Sequence, residues 1–419
     1  MILRALLLSS CLHLFLPMAL QAQVPMSQES VSPYVHHFTH QNGQIKGSGA
    51  ALLQQHLANS QFFVMGEYHG SQQIIQLTQT LLQEAHQYSY ECFAVEVGPH
   101  SARILRRLSQ DPAQTSQRLH EFNSRYYLSA DDDIPIPFFD SKEEAAMLEQ
   151  SRRLGMDLWG LDQEYFTASF HLFDEIASMT ANDPQTQNLR KQVKPILQRL
   201  YLKDAQERRY PLYDSLAQNP SIQAFFSAAQ KANPQCTAIV EDLKISWDIY
   251  NRNRLRSRSS HTKRISYMRE NFVKNYQQLK NPLAKVFVKL GGLHTGKDKQ
   301  LNAYDVGHLT EQLAQKNGTR STNLGISSRF YQEEGETYDS WEDRKDKDIA
   351  FGFEMYGQKD QWTVIDLKSI KANVEAGQLS LPADYSFHGI LSDLKNFDLL
   401  LIPPMDKSTE PNYQKPSDK

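Results

Sequence analysis

The 419-residue chain has only three cysteines, Cys11, Cys92 and Cys236, so it is no disulfide-stapled scaffold. One bridge between Cys92 and Cys236 is open in an oxidising compartment. Cys92, however, lies in the apolar run CFAVEV, where a buried thiol is the simpler expectation. Nor is there an excess of one charge: 45 Lys and Arg stand against 48 Asp and Glu, a formal charge of -3. That balance gives no global field for nucleic acid or an anionic membrane. No nucleic-acid partner is expected, and binding must be local. Beyond the first residues no apolar run approaches the ~20 residues of a membrane span, so the mature chain is expected to carry no transmembrane segment. The patterns C-x-x-C, H-E-x-x-H and G-x-G-x-x-G are missing, which removes zinc ribbons, zincins and dinucleotide folds. Internal repeats and low-complexity tracts are missing too. What remains fits a protein acting on a small-molecule or peptide substrate, and the sequence leaves its oligomeric state open.

The N-terminus MILRALLLSSCLHLFLPMALQAQ has an early Arg4, a short apolar stretch and a small residue at Ala22. It reads as a signal peptide over residues 1–22, so export to the periplasm or beyond is expected. Leu8-Ser9-Ser10-Cys11 has the look of a lipoprotein box, but the apolar run continues past Cys11, and lipid anchoring is the less expected outcome.

Short buried-strand runs occur at 62–65 (FFVM), 92–97 (CFAVEV), 157–161 (DLWGL), 286–290 (VFVKL), 363–367 (TVIDL) and 397–402 (FDLLLI). Between the first two, Ile74, Leu77, Leu81, Leu82 and Ala85 recur at helical spacing. A strand–helix–strand unit implies a parallel sheet. The expected fold is therefore α/β, with a mostly parallel central sheet flanked by helices. A single domain over residues 30–405 would carry a helical cap insertion at about 165–265, and residues 406–419, rich in Pro, Lys and Ser, read as a flexible tail. The basic stretch from Arg252 to Arg264 is expected to be a solvated helix face or loop, with an anion-binding strip as the alternative. Asp131-Asp132-Asp133 reads as a turn.

The segment KVFVKLGGLHTGKD poses the functional question, because GGLHTGKD has the Gly-x4-Gly-Lys frame of a phosphate loop. Asp298 stands where such a loop needs a magnesium-binding hydroxyl, and Leu293 and His294 fill the turn. The loop is better read as presenting His294, with Lys297 and Asp298 in a solvated turn. FFVMGEYHGS repeats the plan: apolar strand, Gly66, two residues, His69. Ligands of open parallel sheets sit beyond the carboxyl ends of strands, so two such turns can aim two imidazoles into one crevice. Ser71 then starts the next helix. Glu67 and Glu96 add carboxylates at strand ends, where a charge needs a partner; Arg103 or Arg269 could supply one to Glu96.

His69, His294, Glu96 and Glu67 have the composition of a divalent-metal site, and equally of a general base oriented by a carboxylate. Arg269 could hold a developing oxyanion or a substrate carboxylate, or simply pair with Glu270. Asp162, at a third strand end, either joins the site or caps a helix.

In that order VMGEYHGS, FAVEVG, RENFVKN, VFVKLGGLHTGKD, TVIDLK and FDLLLIPP resemble the superfamily of erythromycin esterase-like and haem-binding ChaN-like proteins, from about Phe62 to Pro404. The resemblance implies a three-layer α/β fold and an esterase site in which His69 activates water. Glu67, Glu96, Arg269 and His294 match its other site positions. The turn GEYHG is shorter than the esterase turn and is similar to the ChaN type, and GGLHTGKD lacks the esterases' His-Asn pair. The alternative implied is therefore a haem- or iron-binding uptake protein, with His or Tyr as ligand and no hydrolysis. The Gly-x-x-His turns also resemble the more distant Tiki and TraB proteins, some of which look like metal-dependent peptidases.

Overall fold

The structure is a computed structural model that describes residues 23–128, 134–207, 209–299, 301–333, 335–345, 351–382 and 387–414. The segment read as a signal peptide, with Cys11, lies outside the described residues, as do Asp131-Asp132-Asp133 and residues 415–419.

Among the described residues nine strands form the central sheet: β1 (Val35–Gln41), β2 (Gln44–Lys46), β3 (Phe62–Glu67), β4 (Tyr90–Val95), β5 (Asp157–Gly160), β6 (Lys285–Gly291), β7 (Ser321–Ile326), β8 (Trp362–Asp366) and β9 (Leu399–Ile402). Their order across the sheet is β2-β1-β8-β9-β7-β3-β6-β4-β5. The six strands from β9 to β5 run parallel, and β8, β1 and β2 continue the sheet antiparallel. The protein is thus α/β, with helices on a mostly parallel sheet.

The strands are apolar without alternation because both faces are covered. Successive side chains leave a strand on opposite sides, and the packing follows that rule. Phe63, Met65, Phe93, Val95 and Phe287 enter one core, whereas Phe62, Val64, Cys92, Ala94, Val286 and Val288 enter the other. Each large side chain so buried contributes roughly 1.5–3 kcal/mol. The first core takes the helix Gln72–Gln87 through Ile74, Leu77 and Leu81, started by Ser71, whose side chain accepts from the Ile74 N–H. The second takes the helix Ser259–Gln277 through Met268 and Phe272. Cys92 and Cys236 are free buried thiols in different cores.

Five helices fill residues 169–254, between β5 and β6. The basic stretch that follows is only partly solvated. Arg252 and Lys263 both grip Asp248, Arg254 grips Asp204, and Arg264 turns inward.

Residues 406–414, read in the sequence as loose, lie against the body. Asp406–Lys407 pairs with the strand Phe330–Glu333, and the Asp406 carboxylate accepts from Ser71 Oγ at 2.5 Å and from the Gln73 N–H. Tyr413 stacks on Tyr127.

Candidate active site

The chain runs out from β3 to β4 and β5, then returns to insert β6 between β3 and β4 and place β7 on the far side of β3. This reversal makes a crevice at the carboxyl ends of β3, β6 and β4, the usual ligand position in an open α/β sheet. The crevice is a cleft of about 480 Å3, and its wall contains Glu67, His69, Glu96, Arg264, His294 and Gly291. A hollow of about 520 Å3 elsewhere is lined by amide side chains, Thr80 and His40, and it contains no carboxylate.

Glu67 ends β3. It is buried between a cation and an imidazole: Lys289 of β6 pairs with its Oε2, and His69 Nδ1 lies 3.3 Å from its Oε1. Burial alone would raise this carboxyl, but Lys289 and His69 outweigh it and hold Glu67 below the usual carboxylate range. Gly70, at φ +77°, turns the chain away after His69. Gly66, expected at the turn, lies within the strand. The His69 ring is 42% exposed and stacks on Phe138 with ring centres 3.9 Å apart. Phe138 holds a left-handed φ of 63°, an uncommon conformation for a bulky residue that local packing must stabilise.

Glu96 follows β4 and is gripped from two directions. Its Oε2 accepts from the Gly291 N–H at 2.5 Å, and its Oε1 accepts from Arg264 Nη2 at 2.7 Å. The same guanidinium clasps Asp162 through Nε at 2.9 Å and Nη2 at 2.6 Å. Asp162 therefore joins the site and caps no helix.

The GGLH segment forms a single tight turn, Gly292–His294, and the next helix begins only at Val306. That arrangement is not a phosphate loop. His294 Nε2 lies 3.6 Å from Glu96 Oε1, and Nδ1 meets Asp305 Oδ2 at 2.7 Å. Burial opposes a charge on His294, but the Asp305 hydrogen bond and the Glu96 carboxylate together raise its pKa above the ordinary imidazole value. Lys297 is no solvated side chain: it is mostly buried between Asp398 and Glu311.

The two imidazole-bearing turns do converge. A Cβ on Gly291 would stand 2.9 Å from His69 Nε2 and 3.1 Å from Glu96 Oε2. His69 Nε2 and the Glu96 carboxylate thus lie within about 6 Å of each other across this glycine, and His294 touches Glu96 from its other side. Arg269 is not brought in. Its Nη1 donates to the carbonyls of Tyr304 and Asp305 at 3.0 and 3.2 Å, bracing the loop that carries the partner of His294.

Three contributors carried no functional reading in the sequence, Asp305, Lys289 and Phe138; Arg264 figures there only within the basic stretch, as part of a solvated face or an anion-binding strip. Lys289 left one signal, a charge inside the apolar run VFVKL. Asp305 left another, a cap residue before a helix.

A divalent metal does not fit this donor set. Lys289 neutralises Glu67, and Arg264 and the Gly291 N–H occupy Glu96, so neither carboxylate is left to join the imidazoles. Among the described residues, no three His, Cys, Asp or Glu side chains are grouped to hold an ion. Tyr68 and His69 both face the cleft; burial with the Glu354 and Asp393 carboxylates raises the Tyr68 pKa, so His69 Nε2 is the residue here that would hold a haem iron.

Among solved structures the chain is similar to a Bacillus cereus protein at 14% identity and a TM-score of 0.52, over 91% of this chain and 97% of that one. It is similar to a succinoglycan biosynthesis protein with the same identity, TM-score and coverage. An erythromycin esterase, EreC, in an open conformation aligns at 11% identity and a TM-score of 0.49, over 86% of this chain and 94% of that one. The fold is shared at low identity. No protein-family model matches the chain, and no curated protein does either.

Proposed function

We propose that the protein is a metal-independent hydrolase of an ester, lactone or peptide bond, with His69 as the base that activates water. One observation carries this reading: Glu67 backs His69 at Nδ1 while Nε2 stands over Gly291 in the cleft. An imidazole fixed at one nitrogen by a carboxylate and open at the other is the arrangement general-base catalysis requires.

In the reaction, water gives a proton to Nε2 as its oxygen attacks the substrate carbonyl. Glu67 accepts the Nδ1 hydrogen and stabilises the imidazolium that forms. Negative charge collects on the carbonyl oxygen, and the cations facing the cleft are Arg264 and a protonated His294. The acyl bond to the leaving group then breaks, the leaving atom takes the proton held by His69, and acid and alcohol or amine depart.

The test uses p-nitrophenyl acetate, a δ-lactone and a peptide p-nitroanilide. A His69→Ala variant should lose at least about 100-fold in kcat on the substrate that is turned over. Unchanged rates on all three overturn the proposal. So does a hemin Soret band that His69→Ala or Tyr68→Phe abolishes in a protein without hydrolytic activity.

Export is part of the proposal and rests on the sequence of residues 1–22. A mature N-terminus at Gln23, read by mass spectrometry of the secreted protein, supports it.

A further inference from the structure

Three hollows lie side by side at the strand ends, and the cleft with His69 is the one that shares wall residues with both others. Arg264, on its wall, also walls a hollow of about 300 Å3 that contains Phe138, Tyr165, Tyr250 and Asn253. Tyr68 and His69, on its wall too, also wall a hollow of about 360 Å3 that contains Ser328, Tyr331, Gln332 and Ser408. The two outer hollows share no residue. They are separate arms that flank one reaction centre, each sharing part of its wall.

Both arms combine tyrosine rings with hydroxyl and amide groups, and the buried charges of each are paired within the protein. Asp162 is clasped by Arg264, and Asp406 accepts from Ser71 and the Gln73 N–H. Glu333 and Lys407 in the second arm have opposite signs. Neutral donors and acceptors beside aromatic faces suit a neutral, hydroxyl-rich chain, whose rings stack while its hydroxyls both give and accept hydrogen bonds. A peptide would more readily add to a free strand edge. The strand Phe330–Glu333, which walls the second arm, is paired on both edges.

Building on the hydrolase reading, we infer that the substrate is an oligosaccharide carrying an ester, with sugars in both arms and the ester carbonyl over Gly291. Hydrolysis splits the acyl–oxygen bond with water, releasing the acid and leaving the sugar hydroxyl on an intact chain.

The experiment compares O-acetylated xylo-oligosaccharides of two to six sugars with p-nitrophenyl acetate as the small ester. The value of kcat/KM should rise about tenfold or more from the dimer to the hexamer, as extra rings stack. Tyr331→Ala and Tyr165→Ala should each lower the ratio of hexamer to small-ester activity by about tenfold. That ratio, taken on one preparation, cancels any loss of folded protein. A flat length dependence, an unchanged ratio, or a peptide ester of similar length being preferred overturns the inference.

Calorimetry with the hexamer on His69→Ala separates the two claims. No hexamer binding, with the small ester still cleaved by wild type, overturns the oligosaccharide inference alone. Hexamer binding weakened about tenfold by Tyr331→Ala, with neither the acetylated hexamer nor the small ester cleaved by wild type, supports the arms and overturns the hydrolase reading.

Discussion

The ammonium of Lys289 is buried against one oxygen of Glu67, whose other oxygen faces His69 Nδ1 at 3.3 Å. Three charged or polar groups on β3, its turn and β6 thus form a line ending in the cleft. Removing the cation strands the carboxylate. Lys289→Met should cost about 3–5 kcal/mol of stability, the usual penalty for breaking a buried pair. Glu67 is held below its ordinary pKa, so its contribution to stability exists above the unfolded carboxyl pKa and is lost as pH falls through the folded value. In Lys289→Met that acid-labile contribution is gone, so the deficit against wild type should be full at neutral pH and shrink as pH falls through the folded Glu67 value. Urea midpoints across a pH series measure both effects, and the Lys289→Met/Glu67→Gln double variant should regain stability without regaining rate.

His294 has the opposite sign. Asp305 and Glu96 raise it against the effect of burial, so the imidazolium persists to higher pH than in an ordinary histidine. The stability it adds is full below the unfolded imidazole pKa and disappears as pH rises through the folded one. Asp305→Asn removes the hydrogen-bonded carboxylate, and the alkaline limb of the kcat/KM profile should shift to lower pH. An alkaline limb that stays in place would remove the protonated His294 from the mechanism.

Gly291 is a steric prediction. A methyl there would meet His69 Nε2 at 2.9 Å and Glu96 Oε2 at 3.1 Å, so both groups must shift. Gly291→Ala should lower kcat/KM by about 100-fold, the scale of a 1 Å misplacement, while far-ultraviolet circular dichroism stays as in the wild type. Equal activity would show that the two groups do not need to meet at this glycine.

Glu144 sits in a buried capping box, its Oε2 accepting from the Asp140 and Ser141 N–H groups and from Ser141 Oγ. Burial, with Asp140 nearby, raises it to about 7. A carboxyl raised by folding favours the native state while protonated, so stability should fall as pH rises from the unfolded value near ~4.3 through about 7. The total is on the order of 3 kcal/mol. Thermal melts at pH 5 and pH 8 should differ in that direction, and Glu144→Gln should flatten the difference.

The sequence revealed the strands and the His69, Glu67, Glu96 and His294 positions, for one reason: a polar residue at the end of an apolar run stands out locally. Arg264 did not stand out. It shares a helix with Arg269, and five residues of helix turn a side chain by about 140°, so only the packed helix decides which guanidinium reaches Glu96. Asp305, eleven residues beyond His294, reaches it through a loop whose path the sequence does not encode locally. Residues 406–414 looked loose because they are polar and proline-containing, yet their partners, Ser71, Gln73 and Tyr127, lie about three hundred positions away.

The pleat sends Cys92 into one core while Cys236 enters the other, and burial pushes the Cys92 thiol up to about 12. Neither sulfur offers a thiolate to reagents in the folded protein. A maleimide dye would label these two positions only in molecules that have opened, so the rate of labelling in native buffer reports how often the sheet comes apart, with no probe to install.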